Sequence, residues 1–329
     1  VKNILVTGGA GYIGSMTVKQ LQENGLNPTV FDNLVYGHKE SIAATLIQGD
    51  LATDKDKLEQ VFKDTKFDAV IHFAGYAATG ESMKNPYKYF YYNYVGGLNL
   101  AETMVRYGVR HIVFSSSCTV YGNVGKLPVG EDSPIDIVNV YGQTKYDFEK
   151  ILDWYDQIYQ IKSVRLRYFN ACGAALDGSM GEDHNPEAHI IPNAIKAALS
   201  SIPFSLFGDD YPTKDGTCIR DYIHVLDLAQ AHLKALDYLE KGGKTDYFNI
   251  GVGKGYSNKE VLEMVKKVSG KDLSVEVKPR RSGDANEIYA DNTKAKKVLG
   301  WNPEHSDLET IVKSAYLWHS THPNGYLSS

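Results

Sequence analysis

Apolar, largely β-branched runs alternate with stretches of helical periodicity through the first half of the chain. Ile4 to Thr7, Thr29 to Asp32, Ala44 to Gln48, Ala69 to Phe73, His111 to Ser115 and Ser163 to Arg167 predict strands. Between them, Ile13 to Asn24, Lys55 to Phe62, Tyr87 to Tyr107 and Tyr141 to Tyr159 predict helices. This βαβ rhythm implies an α/β fold with a doubly wound parallel sheet, covered on both faces and binding ligands at the carboxyl ends of its strands. Beyond Arg167 the rhythm loosens. Gly173 to Glu187, rich in glycine, acids and proline, predicts a crossover loop, and Asn258 to Lys267 and Leu308 to His319 predict elements of a smaller mixed lobe. No repeat, low-complexity tract or linker separates the halves. The expected organisation is a first domain over residues 1–170, with some later segments packing back on it, and a second over 171–329.

The run Val6-Thr7-Gly8-Gly9-Ala10-Gly11-Tyr12-Ile13-Gly14 joins the first strand to the first helix. Gly8 permits a tight turn, Gly11 lets backbone amides approach a pyrophosphate, and Gly14 lets helix and strand pack closely. The helix N-terminus adds N–H groups and the positive end of its dipole. A structural turn could carry the same glycines, but Asp32 ends the next strand roughly 20 residues on, where the ribose diol of an adenosine would sit. That pattern makes the fold Rossmann-type and argues for NAD over NADP, because a 2′-phosphate beside Asp32 would meet like charge. No Gly-Lys-Ser/Thr closes the turn, which excludes a P-loop.

Tyr141 and Lys145 lie four apart at the start of a helix, on one face. A free tyrosine, with a pKa of about 10, is a poor base at neutral pH, and a neighbouring Lys⁺ favours its phenolate. A packed tyrosine and a solvated lysine would leave the same pattern. Phe114-Ser115-Ser116-Ser117 runs off a strand end, so that Ser117 could hydrogen-bond a substrate hydroxyl or carbonyl; a serine turn would look similar.

With 329 residues the chain can build two lobes, and its formal net charge of −5 invites neither nucleic acid nor an anionic membrane. An anionic substrate must therefore be held by locally placed basic groups. Cys118, Cys172 and Cys218 are odd in number and widely spaced, which reads as reduced thiols in a cytoplasmic protein, and no metal site is expected. No apolar run approaches the roughly 18 residues that span a bilayer, and no signal peptide is expected.

Together these residues resemble the extended short-chain dehydrogenase/reductase family, and most closely its nucleotide-sugar epimerases. The similarity covers essentially the whole chain through TGGAGYIG, FDNLVYG, GDL at Gly49 to Leu51, IHFAGYAATGES, SSSCTVYG, YGQTK, LRYFNACGA, FGDDYPTKDGTCIRDYIHVLDLA and PRRSGDA. The resemblance implies tightly bound NAD, contacted by Gly8, Gly11, Tyr12, Ile13, Gly14, Asp32, Asn33, Leu34, Tyr36 and Gly37. It adds Asp50 and Leu51 at the adenine, and Phe73, Ala74, Gly75, Asn93, Ser115, Tyr141, Lys145 and Tyr168. It implies a UDP-sugar, UDP-galactose or UDP-glucose, held by Ser117, Tyr141, Asn170, His189, Ile190, Ser205, Phe207, Arg220, Tyr222, Arg281, Asp284 and Ile288. Arg220 and Arg281 offer guanidinium forks to a diphosphate and Phe207 a flat face to uracil. For either arginine, a surface ion pair is the plainer alternative.

The implied reaction takes a proton at Tyr141 from the sugar's 4-hydroxyl while carbon-4 loses hydride to NAD, then returns hydride to the opposite face of a 4-keto sugar. Ser117 shares that hydrogen bond and Lys145 tunes Tyr141. The chain departs from the family pattern at Ala77, where lysine is frequent, at Met16, where histidine is usual, and at Ile288, beside the sugar's carbon-2 substituent. The last leaves N-acetylated sugars such as UDP-N-acetylglucosamine as an alternative substrate. A 4,6-dehydratase would carry an Asp-Glu pair after the strand-end hydroxyl, where this chain has Cys118-Thr119, and a silent NAD sensor would have no need of Ser117, Tyr141 and Lys145. A homodimer through Tyr87 to Tyr107 and Tyr141 to Tyr159 is the family expectation.

Overall fold

The computed structural model describes residues 2–200, 202–281 and 285–327. Its strands are β1 (Asn3–Thr7), β2 (Asn27–Asp32), β3 (Thr45–Gln48), β4 (Ala69–His72), β5 (His111–Ser117), β6 (Lys162–Tyr168), β7 (Asn170–Cys172), β8 (Phe204–Phe207), β9 (Ile219–His224), β10 (Asp246–Ile250), β11 (Gly255–Ser257), β12 (Val275–Lys278) and β13 (Glu287–Ile288). Seven of them form one parallel sheet in the order β10-β6-β5-β4-β1-β2-β3. The strand order reverses between β1 and β4, and the crevice opens there in a doubly wound sheet.

Both faces of the sheet are covered, and the strands show it residue by residue. Ile4, Val6, Val30, Ile71 and Val113 point into one apolar cluster, with Val18 and Leu21 of the helix Tyr12–Glu23 and Leu228 and Leu236 of the helix Val225–Glu240. Leu5, Phe31, Val70, Ile112 and Phe114 point into the other, against Leu58, Leu100, Met104, Phe148 and Leu152. Alternate side chains on a strand face opposite ways, so a near-continuous apolar run is what a sheet buried on both sides requires. Each such aliphatic or aromatic side chain contributes about 1.5–3 kcal/mol on burial.

The helix Val225–Glu240 and strand β10 return from the second half of the chain to this first sheet. Neither shows in the sequence rhythm. DYFNI is a five-residue edge strand with a charged first position, and it has no preceding strand of its own sheet close by to set a βαβ period. The region expected as one helix from Tyr87 is helical from Pro86 to Tyr107 but passes through a π-helical stretch, Phe90–Val95, between the α-helices Pro86–Tyr89 and Gly96–Tyr107.

The second lobe packs the helices Ile190–Ser200, Asn258–Ser269 and Leu308–Thr321 around Ile191, Ile195, Val261, Val265, Ile311 and Val312. Ser257 and Glu260 form a reciprocal capping box on the second of these helices, and Asp307 caps the third. Strand β9 pairs with β7, β11 and β13, while β8 pairs with β12. Residues 173–189 contain neither helix nor strand. They join β7 to the helix Ile190–Ser200.

Candidate functional site

The glycine turn is built as its spacing demands. Gly8 has φ +72°, and a Cβ on it would lie 2.4 Å from the Ala74 nitrogen; one on Gly14 would lie 2.3 Å from the Gly8 oxygen. Both glycines are required by the protein's own packing. Gly11 is different, because a Cβ there meets only the Gly8 oxygen at 3.5 Å, an ordinary contact. The space beside Gly11 is therefore open on the side where a phosphate would approach the amides of the helix Tyr12–Glu23, and the residues present fit a dinucleotide. Asp32 ends β2 and is buried; its Oδ2 accepts from Ala10 N–H at 2.9 Å and its Oδ1 from Leu34 N–H at 2.8 Å. The carboxylate thus fixes both the glycine turn and the following loop, with lone pairs remaining for ribose hydroxyls. Burial raises its pKa.

Leu34 takes a left-handed backbone, φ +59°, a strained conformation of the kind that clusters at ligand sites. Asn33 Nδ2 donates to Asp50 at 2.7 Å, and Leu51 is buried with its carbonyl accepting from Asn99. Tyr36 lies edge-on to Tyr76, and Gly37 packs against Ala10. Tyr12 contributes differently from Ile13, which packs between two apolar clusters. Its hydroxyl donates to the Gly173 carbonyl at 2.6 Å and its ring is buried with Met16 and Val225, so only its backbone faces the turn.

On the other side of the crevice stand Phe73, Ala74, Gly75 and Asn93. Asn93 lies in the π-helical stretch, buried, accepting from Tyr76 N–H at 2.8 Å and donating to the Thr144 hydroxyl at 3.0 Å. A π-bulge at a functional position is a recurrent device. Here it joins the loop after β4 to the helix Val140–Tyr159.

That helix starts at Asn139, whose side chain accepts from Gly142 N–H at 2.7 Å, and presents Tyr141 and then Lys145 one turn later. The Lys145 ammonium is buried, donates to the Ser115 carbonyl at 2.8 Å, and lies 5.8 Å from the centre of the Tyr141 ring. Burial lowers its pKa to about 8. Ser117 ends β5, opposite Tyr168 of β6, and its hydroxyl acts on the Tyr141 phenol; its Oγ accepts from the Thr119 hydroxyl at 2.8 Å. Burial pushes the phenol up to about 12 and the Ser117 hydroxyl lowers it in part.

Beneath this trio lies a polar network that spacing did not single out. Glu149, one turn past Lys145, accepts from Arg167 Nε at 2.9 Å and Nη2 at 2.5 Å and from the Ser116 hydroxyl at 2.5 Å. Arg167 also donates to the Tyr121 hydroxyl, which donates to Asn249. Both charged side chains are buried, 3% and 4% exposed. A Glu four residues after the lysine and an Arg next to Tyr168 were visible signals, but an exposed ion pair would leave the same letters.

The second lobe carries two adjoining cavities. One, of about 370 Å³, is lined by Ile190, Ser205, Phe207 and Arg281. The other, of about 200 Å³, is lined by Asn170, His189, Ile190, Arg220, Tyr222 and Arg281. The Arg281 guanidinium lies over the Phe207 ring at 4.0 Å, the ring expected to meet uracil. The His189 imidazole is bonded to Glu182. Ile288 lies opposite Arg220 in the β13–β9 pairing and packs in a cluster with Tyr121, Phe169 and Cys118. Asp284 lies outside the described residues.

Residues 4–251 match the model of the NAD dependent epimerase/dehydratase family. The chain belongs to that family. It is 47% identical over 326 residues to the UDP-glucose 4-epimerase of Lactobacillus helveticus, covering 98% of each chain. The solved UDP-glucose 4-epimerase of Bifidobacterium longum, in complex with NAD+ and UDP, superposes with a TM-score of 0.93 at 37% identity, over 98% of this chain and all of that one. The UDP-Glc/GlcNAc 4-epimerase of Campylobacter jejuni superposes at 0.84 with 41% identity, over 98% of this chain and all of that one. Among the described residues no helix is long and apolar enough to cross a membrane.

Proposed function

We propose that this chain interconverts UDP-galactose and UDP-glucose, the first lobe holding NAD and the second the nucleotide sugar. The observation that carries this reading is buried Lys145, bonded to the Ser115 carbonyl and 5.8 Å from the centre of the Tyr141 ring, at the carboxyl edge of the sheet where β5 ends in Ser117 and which bears the glycine turn. When bound, NAD supplies a hydride acceptor for carbon-4 of the sugar and, while oxidised, a positive ring in the crevice. Tyr141 takes the proton of the 4-hydroxyl and later gives it back, with Ser117 sharing the hydrogen bond. With its pKa at about 12, the phenol needs added positive charge to act as base, and Lys145, held by the Ser115 carbonyl, stays close enough to respond.

Arg220 and Arg281 serve the diphosphate and Phe207 the uracil, with Arg281 shifting from the Phe207 ring to the phosphates. Asn170, Ile190, Ser205 and Tyr222 shape the groove, and Ile288 approaches from β13. UDP supplies the remote binding energy that keeps a sugar free to turn over without escaping. A dehydratase needs a further acid and base beside the strand end. Cys118 is half-buried with its thiol pushed up to about 12, and the Thr119 hydroxyl is spent on Ser117.

We further propose a cytoplasmic homodimer. Cys118, Cys172 and Cys218 are free thiols, and Tyr87, Trp154 and Ile158 expose 75%, 61% and 63% of their surfaces on the two helical segments that an isologous pairing would cover. Incubating purified protein with UDP-galactose and no added coenzyme tests the function. UDP-glucose together with NAD, not NADP, in the denatured extract supports it. A 4-keto-6-deoxy sugar, or unchanged substrate, overturns it.

A further inference from the structure

The crossover loop holds a second group of polar side chains, of which only His189 is also expected at the nucleotide sugar. Glu182, His184, Glu187 and His189 follow the spacing Glu-x-His-x-x-Glu-x-His, and one side-chain donor atom from each lies within 4.8 Å of the others. Both imidazoles turn Nδ1 to one carboxylate: His184 Nδ1 is 3.0 Å from Glu182 Oε1, and His189 Nδ1 is bonded to the same oxygen. Glu187 Oε1 stands 3.9 Å from each of those nitrogens and is held in place by the amides of Ala188 and His189.

Glu187 also carries an independent sign of a missing partner. Its side chain is 6% exposed, and its Oε2 is buried without any hydrogen bond. A buried carboxylate oxygen is costly unless positive charge or a donor lies beside it. His184 and His189 keep 30% and 54% of their side-chain surface exposed, so the group is reachable from solvent.

We propose that Glu182, His184, Glu187 and His189 form a zinc site. Two imidazole nitrogens and two carboxylates are a four-coordinate donor set suited to Zn²⁺, whereas Ca²⁺ and Mg²⁺ favour all-oxygen shells. Metal–ligand bonds of 2.0–2.1 Å put tetrahedral donors roughly 3.3 Å apart, within the spread found here. Two carboxylates and two neutral imidazoles carry two negative charges, which one divalent cation balances. The loop is braced for such a role: the Glu182 carbonyl accepts from Trp318 Nε1 at 3.1 Å, Asp183 is bonded by His38 and Tyr326, and His184 meets the Tyr12 ring edge-on. The site lies beside Tyr12 of the glycine-turn helix and directly before the helix Ile190–Ser200, and Glu182 and His189 line the smaller cavity. Zinc there pins the crossover loop between the lobes.

The sequence reading expects no metal because it weighs the cysteines and treats this stretch only as a loop. Untagged protein, stripped with a chelator and titrated with Zn²⁺ against a chromophoric competitor, should bind one tight equivalent per chain, with Mg²⁺ and Ca²⁺ failing to compete. Anomalous scattering at the zinc edge should place that ion among the four side chains. His184→Ala and Glu187→Gln should each lower affinity by about 100-fold or more, since even outer-shell partners are worth 10–100-fold. A proton-held His–Glu network without metal predicts no saturable binding. That result, an anomalous peak elsewhere, or undiminished affinity in folded variants overturns the proposal, and the anomalous map on the unaltered protein decides even if a variant fails to fold.

Discussion

Replacing Glu149 by alanine should cost far more stability than its place on a helix suggests. The carboxylate takes two bonds from Arg167 and one from Ser116, with both members of the ion pair all but excluded from water. Its removal leaves the guanidinium with the Tyr121 hydroxyl and the faces of the Tyr121 and Tyr247 rings but no counter-charge from Glu149, and breaking a buried pair on one side costs about 3–5 kcal/mol. The orphaned Ser116 hydroxyl adds about 1 kcal/mol. Removing the charge on both sides is a different perturbation. Glu149→Met with Arg167→Met should recover much of the loss, because well-packed apolar replacements of buried pairs are often neutral, and the coupling shows as non-additivity. Urea unfolding at equal NAD occupancy measures all three variants. Glu149 shares its helix with Tyr141 and Lys145, so the single variant should also lower kcat with little change in KM. A single variant within about 1 kcal/mol of the parent, or a double variant no more stable than the single, would refute the reasoning.

Tyr141→Phe should lower turnover by about 10²–10⁴ while UDP-sugar affinity, read by calorimetry, stays near that of the parent; an unchanged rate removes Tyr141 from its role. Lys145 sets a pH dependence of stability. Burial lowers its pKa from 10.5 to about 8, so between those values the unfolded chain holds a proton that the folded chain has released, and stability of the NAD-free chain rises with pH across that window by on the order of 3 kcal/mol. Lys145→Met should flatten the rise, and parallel urea-midpoint curves would contradict it. Ile288, buried beside Cys118, should permit weak turnover of UDP-N-acetylgalactosamine that increases in Ile288→Ser and decreases in Ile288→Tyr, since overfilling a packed pocket costs about 1–3 kcal/mol. Equal ratios of kcat/KM for the two substrates in all three proteins would show that it does not gate the pocket.

The strands that carry the site were legible because each is a short apolar run ending in a residue with its own chemistry. Asp32 and Ser117 both sit at strand ends, and Tyr141 and Lys145 share a helix face by spacing alone. What lay beyond the letters depends on partners distant in sequence. Strand β10 is recognisable as part of the first sheet only through its pairing with β6, and the π-helical turn that aims Asn93 gives no periodic signal. Glu149, Arg167 and Tyr121 read as an ordinary charged helix face and two strand-region residues until the fold buries them together. The height of the Tyr141 pKa was likewise hidden, since spacing places Lys145 nearby but does not say that burial outweighs it.

Retention of the hydrogen at carbon-4 tests the proposed chemistry most directly. UDP-galactose carrying deuterium at that carbon, converted by the purified protein in ordinary water without added coenzyme, should yield UDP-glucose that keeps the deuterium at carbon-4, because the hydride leaves and returns within one closed site. Product that has exchanged the label for solvent hydrogen would contradict hydride transfer to a bound cofactor and with it the roles given to Tyr141, Ser117 and Lys145.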